Sequence, residues 1–180
     1  DDSHFKGAVA GAPAASLLEI IRDIAPVALT TLNAQEAAAG IALSERNAVH
    51  SFATIIAYGA LVGVGIKAEK PDFDYLSLFY PSARAFAKSA EGTNGEDGIC
   101  LHGVRDLFKR DLIQFMEENP SRSMLDYPGI DIEAFQKHPT LLTFFKESQP
   151  GTKKLDKPIL IIQGEADTNV PAIVTQALVD

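Results

Sequence analysis

The sequence predicts a mixed α/β chain in which two neighbouring parallel strands flank a large helical insertion. Three observations carry that expectation. A short apolar run at residues 5–10 (FKGAVA) is closed by the turn residues Gly11-Ala12-Pro13. A second run, Ile159-Leu-Ile-Ile162, is continuous and β-branched, the pattern of a strand buried on both faces of a parallel sheet. Between the two, apolar residues recur mainly at helical spacing, and parallel partners need a long crossover of this kind.

Each element has its own signal. Ser16-Leu-Leu-Glu19 has the spacing of a capping box. It opens a helix whose apolar face is Leu17, Leu18, Ile20, Ile21 and Ile24, and Pro26 is expected to stop it. Residues 33–66 read as helix almost throughout, with Asn33 and Glu36 repeating the capping spacing. Residues 48–66, about 19 in number, approach the length of a bilayer span. No Lys/Arg-rich flank marks a cytoplasmic side, so the stretch is read as a buried helix and no transmembrane span is expected. Its Gly59-xxx-Gly63 spacing lets a neighbour approach closely. Pro71 ends that helix. Pro81 is read as the first residue of another, running to about Ala90.

Residues 91–98 (EGTNGEDG) are a polar, solvated loop whose acids lack the spacing of a calcium loop. Residues 103–118 make an amphipathic helix on Val104, Leu107, Phe108, Leu112, Phe115 and Met116. Asp131 caps a short helix through Lys137, and one or two helical turns follow at residues 140–147. After the second strand, Pro171 stands at the head of a helix over residues 172–180. The chain therefore divides into a strand with its exit turn (1–15), a helical cap (16–151), and a strand, acidic loop and helix (152–180).

Composition excludes several functions. Sixteen Lys and Arg against 24 Asp and Glu give a net charge of −8 in 180 residues. An acidic surface repels phosphate backbones, so nucleic acid is not an expected partner. A single cysteine, Cys100, forms no internal disulfide, and no Cys/His cluster has zinc spacing. Neither a metal nor a cofactor is expected. The start at Asp1 without Met, and the stop at Asp180 inside a helical pattern, read as cut ends. The chain is expected to be a piece of a longer protein.

The chemistry points to residues 157–171 (KPILIIQGEADTNVP). Ligands and catalytic groups gather beyond the carboxyl ends of parallel strands, which is where Asp167 falls. By spacing alone, Asp167 is equally a helix N-terminal acid favoured by the helix dipole. Glu165 is the second candidate, or a solvated acid beside the strand end. Other residues have plainer readings. His50 lies on an Ala-rich helix as a packed or surface side chain. Cys100 and His102 are two apart and would not face each other on a helix. Cys100 is read as a small buried hydrophobe. His4 lies in a terminal tail. Phe144 and Phe145 are core residues or the lining of an acyl pocket.

Residues 157–171 resemble the α/β-hydrolase strand that carries the catalytic acid: an apolar run, then Gly164, Asp167, Val170 and Pro171 in the family's spacing. Residues 7–13 resemble the strand after the nucleophile helix, and the region between resembles, loosely, the cap of the secretory lipases. The resemblance implies a fragment of an α/β-hydrolase fold, part of a serine ester hydrolase of lipase or esterase type acting on a lipid or small ester. It implies Asp167 as triad acid, with Glu165 as the alternative. Within the hydrolase fold, a peptide or small ester is the runner-up substrate. By analogy the parent is secreted or periplasmic, with a cytoplasmic home also open. The family's nucleophile sits in G-x-S-x-G and its triad runs Ser, Asp, His. None of the serines (3, 16, 44, 51, 77, 82, 89, 121, 123, 148) is flanked that way, and the histidines at 4, 50, 102 and 138 all precede Asp167. The chain alone is expected to be inactive. The alternative is a non-catalytic helical binding module, or a degenerate hydrolase relative, with an apolar groove.

Overall fold

The computed structural model describes residues 4–93, 95–167 and 170–179. The expected features at Asn94 and Asp180 lie outside these. Two short strands, β1 (Ala8–Gly11) and β2 (Ile159–Ile162), pair in parallel with Ala8 opposite Ile159 and Gly11 opposite Ile162. Among the described residues, everything between them is helix or loop, apart from one antiparallel bridge joining Phe79 to Ile130. The chain is mixed α/β but mostly helical, with 58% helix and 6% strand.

The strands differ from expectation in one respect. Their side chains are largely exposed, Val9 at 67%, Leu160 at 58% and Ile162 at 58%. The run that reads as buried on both faces is uncovered because, among the described residues, the helices pack on one another rather than across the two-stranded sheet.

The first helical segment runs through the proline expected to end it. Helix α1 (Leu17–Glu19) passes into a π-helical turn, Ile20–Ile24, and then into α2 (Ala25–Ala38). Pro26 has no N–H, and its ring would crowd the carbonyl four residues back in a regular helix. The wider turn just before it, closed by Ala25 N–H on the Ile20 carbonyl, accommodates the ring. The box at Ser16 does not form either. Ser16 is left-handed (φ 51°) with no side-chain cap, and its N–H donates instead to Gln149 Oε1 at 3.0 Å.

The long helix read over 33–66 is two helices. Gly40 (φ +74°) closes α2, with its own N–H on the Ala37 carbonyl and the Ile41 N–H on the Glu36 carbonyl. This is a Schellman motif, which glycine's freedom at positive φ permits. Helix α3 (Asn47–Glu69) then starts afresh. Asn33 lies inside α2 and accepts from Arg46 Nη1 at 3.1 Å. Glu36 does cap a helix, but the other one: its carboxylate accepts from Asn47 N, Asn47 Nδ2 and Ala48 N at 2.9–3.0 Å.

Helix α3 is the centre of the body. Ala48, Val49, Ala53, Ala57 and Ala60 are fully buried. It is long and apolar enough to cross a membrane, and about half of its most apolar stretch is buried inside the protein. A Cβ on Gly63 would stand 2.7 Å from the Tyr75 side chain, and one on Gly59 would stand 2.8 Å from Ile130 Cδ1. Both are the close approaches that the small-residue spacing forecasts. Pro81 belongs to a turn ahead of α4 (Arg84–Lys88) rather than to its first turn. Helix α5 (Leu101–Glu118) buries Val104, Phe108 and Leu112, one residue per turn of a single stripe. Phe108 stacks on Phe79 and meets Phe86 edge-on.

Glu91 is not the solvated loop acid that its polar surroundings suggest. Lys67 and Lys88 each reach it at 2.8 Å, and the Tyr75 hydroxyl donates to it at 3.1 Å. The hydrogen bonds from Lys67 and Lys88 hold its carboxyl down at about 2. Asp131 caps α6 (Ile132–Lys137) through the Ala134 N–H as expected. Helix α7 (Pro139–Glu147) follows, capped by His138, and α8 (Ala172–Val179) closes the described chain.

Candidate active site at the strand ends

Both strands run toward the same edge, so their carboxyl ends and the loops beyond them meet there. Beyond β1, the Ala12 N–H donates to the Ile162 carbonyl at 2.8 Å and extends the ladder by one rung. Ala12 is left-handed (φ 45°). Two non-glycine residues at positive φ within five positions, Ala12 and Ser16, mark a backbone held against its preference, and such strain collects at functional edges.

Beyond β2, Gln163 organises the loop. Its Nε2 donates to the carbonyls of Gly164 (3.1 Å) and Val170 (2.9 Å), and its Oε1 accepts from the Thr175 hydroxyl at 2.6 Å. Thr175 is buried. One amide thus ties the strand, the far end of the acidic loop and α8. Asp167 is half-buried, and its Oδ1 accepts the Val170 N–H at 2.8 Å. Glu165 is exposed. Asp167 is therefore the better held of the two candidates, and part of its work is to cap the turn into α8. The hydrolase-like spacing also spans Thr168 and Asn169, which lie outside the described residues.

An apolar cavity of about 330 Å³ lies against this edge. Ala12 and Val170 contribute from the strand ends; Ile21, Ile55, Tyr58 and Phe145 contribute from the helices. Phe145 is thus a cavity residue; Phe144 meets its ring at a tilt, centroids 5.7 Å apart, and both pack on the core. Val170 belongs both to the cavity wall and to the turn that Asp167 caps. The lining residues span positions 12–170, so no local motif could have announced the cavity.

The histidines are engaged elsewhere. Arg105 Nη1 lies 2.9 Å from His102 Nδ1 and 3.4 Å from His50 Nε2, while Arg105 Nε and Nη2 hold Asp106. His138 packs edge-on against Phe73, and His4 is exposed. Cys100 is exposed, contrary to the expected buried hydrophobe, because it precedes α5 and stands outside the stripe of Val104, Phe108 and Leu112 that the helix buries. Among the described residues, no group of three or more His, Cys, Asp or Glu side chains could hold a metal ion.

The His50 arrangement has a pH consequence. Burial, then the charges of Arg105 and Lys109, push its imidazole below the ordinary histidine value, against the opposing charge of Asp106. The unfolded chain takes up that proton near pH 6.5 and the folded chain resists it. More protons bound in the unfolded state means stability falls as pH drops through that value. The urea midpoint is expected to decline between about pH 7.5 and 5.5, and His50→Gln should flatten the decline. An unchanged slope in the variant would remove His50 from the account.

Comparison with protein-family models, with curated proteins and with solved structures finds no match to this chain.

Proposed function

We propose that the chain supplies the helical cap and the triad acid of a serine ester hydrolase of lipase or esterase type, with Asp167 as the acid. The nucleophile and the histidine would come from sequence outside residues 1–180. The observation that supports this best is the cavity at the strand ends. Its walls are apolar, as an acyl group requires, and Val170 joins it to the turn held by Asp167. In this role the carboxylate accepts the Nδ1 hydrogen bond of the histidine, fixes its tautomer and stabilises the imidazolium. Asp167 has one oxygen on the Val170 amide, which orients the carboxylate. The exposed apolar strand faces also suit a parallel sheet whose faces further helices would cover.

A second reading is favoured by the same cap. A carboxylate on the amide of Val170 just ahead of α8 is a sufficient structural role for Asp167. The chain would then be a binding module for an apolar ligand.

The test is direct. The 180-residue chain should leave a chromogenic short-chain ester unhydrolysed above the buffer rate. A protein that adds a G-x-S-x-G segment before it and a histidine after it should hydrolyse the ester. If coding sequence on neither side supplies them, the binding reading replaces the enzyme. Turnover by the chain alone that survives Asp167→Ala would refute both.

A further inference from the structure

A second apolar cavity, of about 200 Å³, lies on the other side of the Ile21–Ile55 wall from the first. Its interior is lined by Ile55, Ile56 and Ile130, and the exposed side chains of Leu125 and Ile132 stand around it. The only charged residue in its lining, among the described residues, is Arg22. Both Ile21 and Arg22 belong to the π-helical turn Ile20–Ile24, and such turns are frequent at functional sites.

We propose that this cavity binds a medium-chain carboxylate, with the alkyl chain inside and the carboxylate on Arg22. Size sets the chain. A dry apolar cavity of about 150 Å³ accepts benzene; on that scale about 200 Å³ holds roughly eight carbon atoms. The charge sets the head group. Arg22 is about half exposed (48%) and spends Nε and Nη2 on Asp23. Its Nη1 makes no hydrogen bond among the described residues. A ligand carboxylate adds to this fork, or replaces Asp23 on it, without leaving a buried charge unpaired. Guanidinium geometry favours a carboxylate over an alcohol of the same length. The inference does not depend on the ester-hydrolase reading. If that reading also holds, the site suits an acid released by ester cleavage.

Calorimetric titration of the 180-residue chain, paired with isoleucine and valine methyl spectra, tests this. Octanoate should bind saturably and shift the methyls of Ile56 and Ile130, which line only this cavity, before that of Val62, which lines only the larger one. 1-Octanol should bind more weakly. Arg22→Gln should weaken octanoate by about tenfold or more, the usual value of a hydrogen bond to a charged group, and leave octanol nearly unchanged. Asp23→Asn has the opposite sign: it frees the guanidinium and should tighten octanoate. Both residues are exposed, so both variants should fold, and their melting curves verify it. Absence of saturable binding, shifts confined to Val62, or equal octanoate affinity in wild type and Arg22→Gln would each overturn the proposal. None of these outcomes bears on whether Asp167 serves a triad.

Discussion

On the proposed triad role, Asp167→Asn is expected to lower the ester-hydrolysing kcat of the complete protein on the order of ten-thousandfold, the loss that a wrongly held histidine tautomer causes in a serine-protease triad. KM should hardly move, because in that role the acid would touch the histidine rather than the substrate. The fold should stand as well. The bond from the Val170 N–H goes to one side-chain oxygen, and asparagine keeps an oxygen there. Asp167→Ala removes that bond too, so it should add about 1 kcal/mol of lost stability to the same kinetic defect. Glu165 is exposed, and Glu165→Gln should cost far less in kcat. Reversed ranking would give the role to Glu165. Mild, equal losses from both, with a lower melting temperature only for Asp167→Ala, would leave Asp167 as a helix cap.

The sequence is most legible where the determining contacts are local. The two apolar runs and the Asp131 cap each depend on residues within one turn or one strand, and the parallel pairing follows from the long crossover between the runs. The α5 stripe depends only on spacing. Legibility ends where a distant partner decides. The rule that Pro26 ends a helix assumes regular geometry, and the π-helical turn before it removes the clash. Asn33 and Glu36 have capping spacing, yet Glu36 caps a helix that starts 11 residues later. Gly40 does signal the break between α2 and α3, since a glycine after an alanine-rich stretch is the usual place for a helix to stop. The apolar periodicity on either side of it masks that signal. At the strand ends, Gly164, Asp167, Val170 and Pro171 are readable as a pattern. Gln163 is not, because its importance lies in reaching Val170 and Thr175.

Glu36→Ala is expected to cost about 3 kcal/mol of stability, well beyond the loss from removing the Asp167 cap. Glu36 is buried, with 5% exposure, and its carboxylate accepts from two main-chain amides and one side-chain amide at the start of α3. Ala48, one of the donors, is fully buried. Removing the acceptor strands the buried Ala48 N–H away from water, at about 1–3 kcal/mol, and takes the cap from Asn47, which is exposed and turns to water, at about 1 kcal/mol more. For a chain of this length the melting temperature should fall by roughly 6–12 °C. Glu36→Gln keeps one acceptor oxygen and should lose about half as much. The acid limb gives an independent check. Burial alone would raise the carboxyl pKa, but the amides of Ala48 and Asn47, with the Arg46 charge, outweigh it and hold it below the ordinary value. A depressed folded pKa contributes stability that is present above about pH 4.5 and lost as pH falls through the folded value. Wild type should show that loss, and Glu36→Ala should lack the Glu36 share of it. The residue also gives its main-chain carbonyl to the Ile41 N–H that closes α2. Its backbone therefore ends one helix while its side chain begins the next, and the truncation removes only the second function. A variant that keeps its melting temperature would mean that the N-terminus of α3 is satisfied by water instead, and that the α2–α3 junction is held by apolar packing alone.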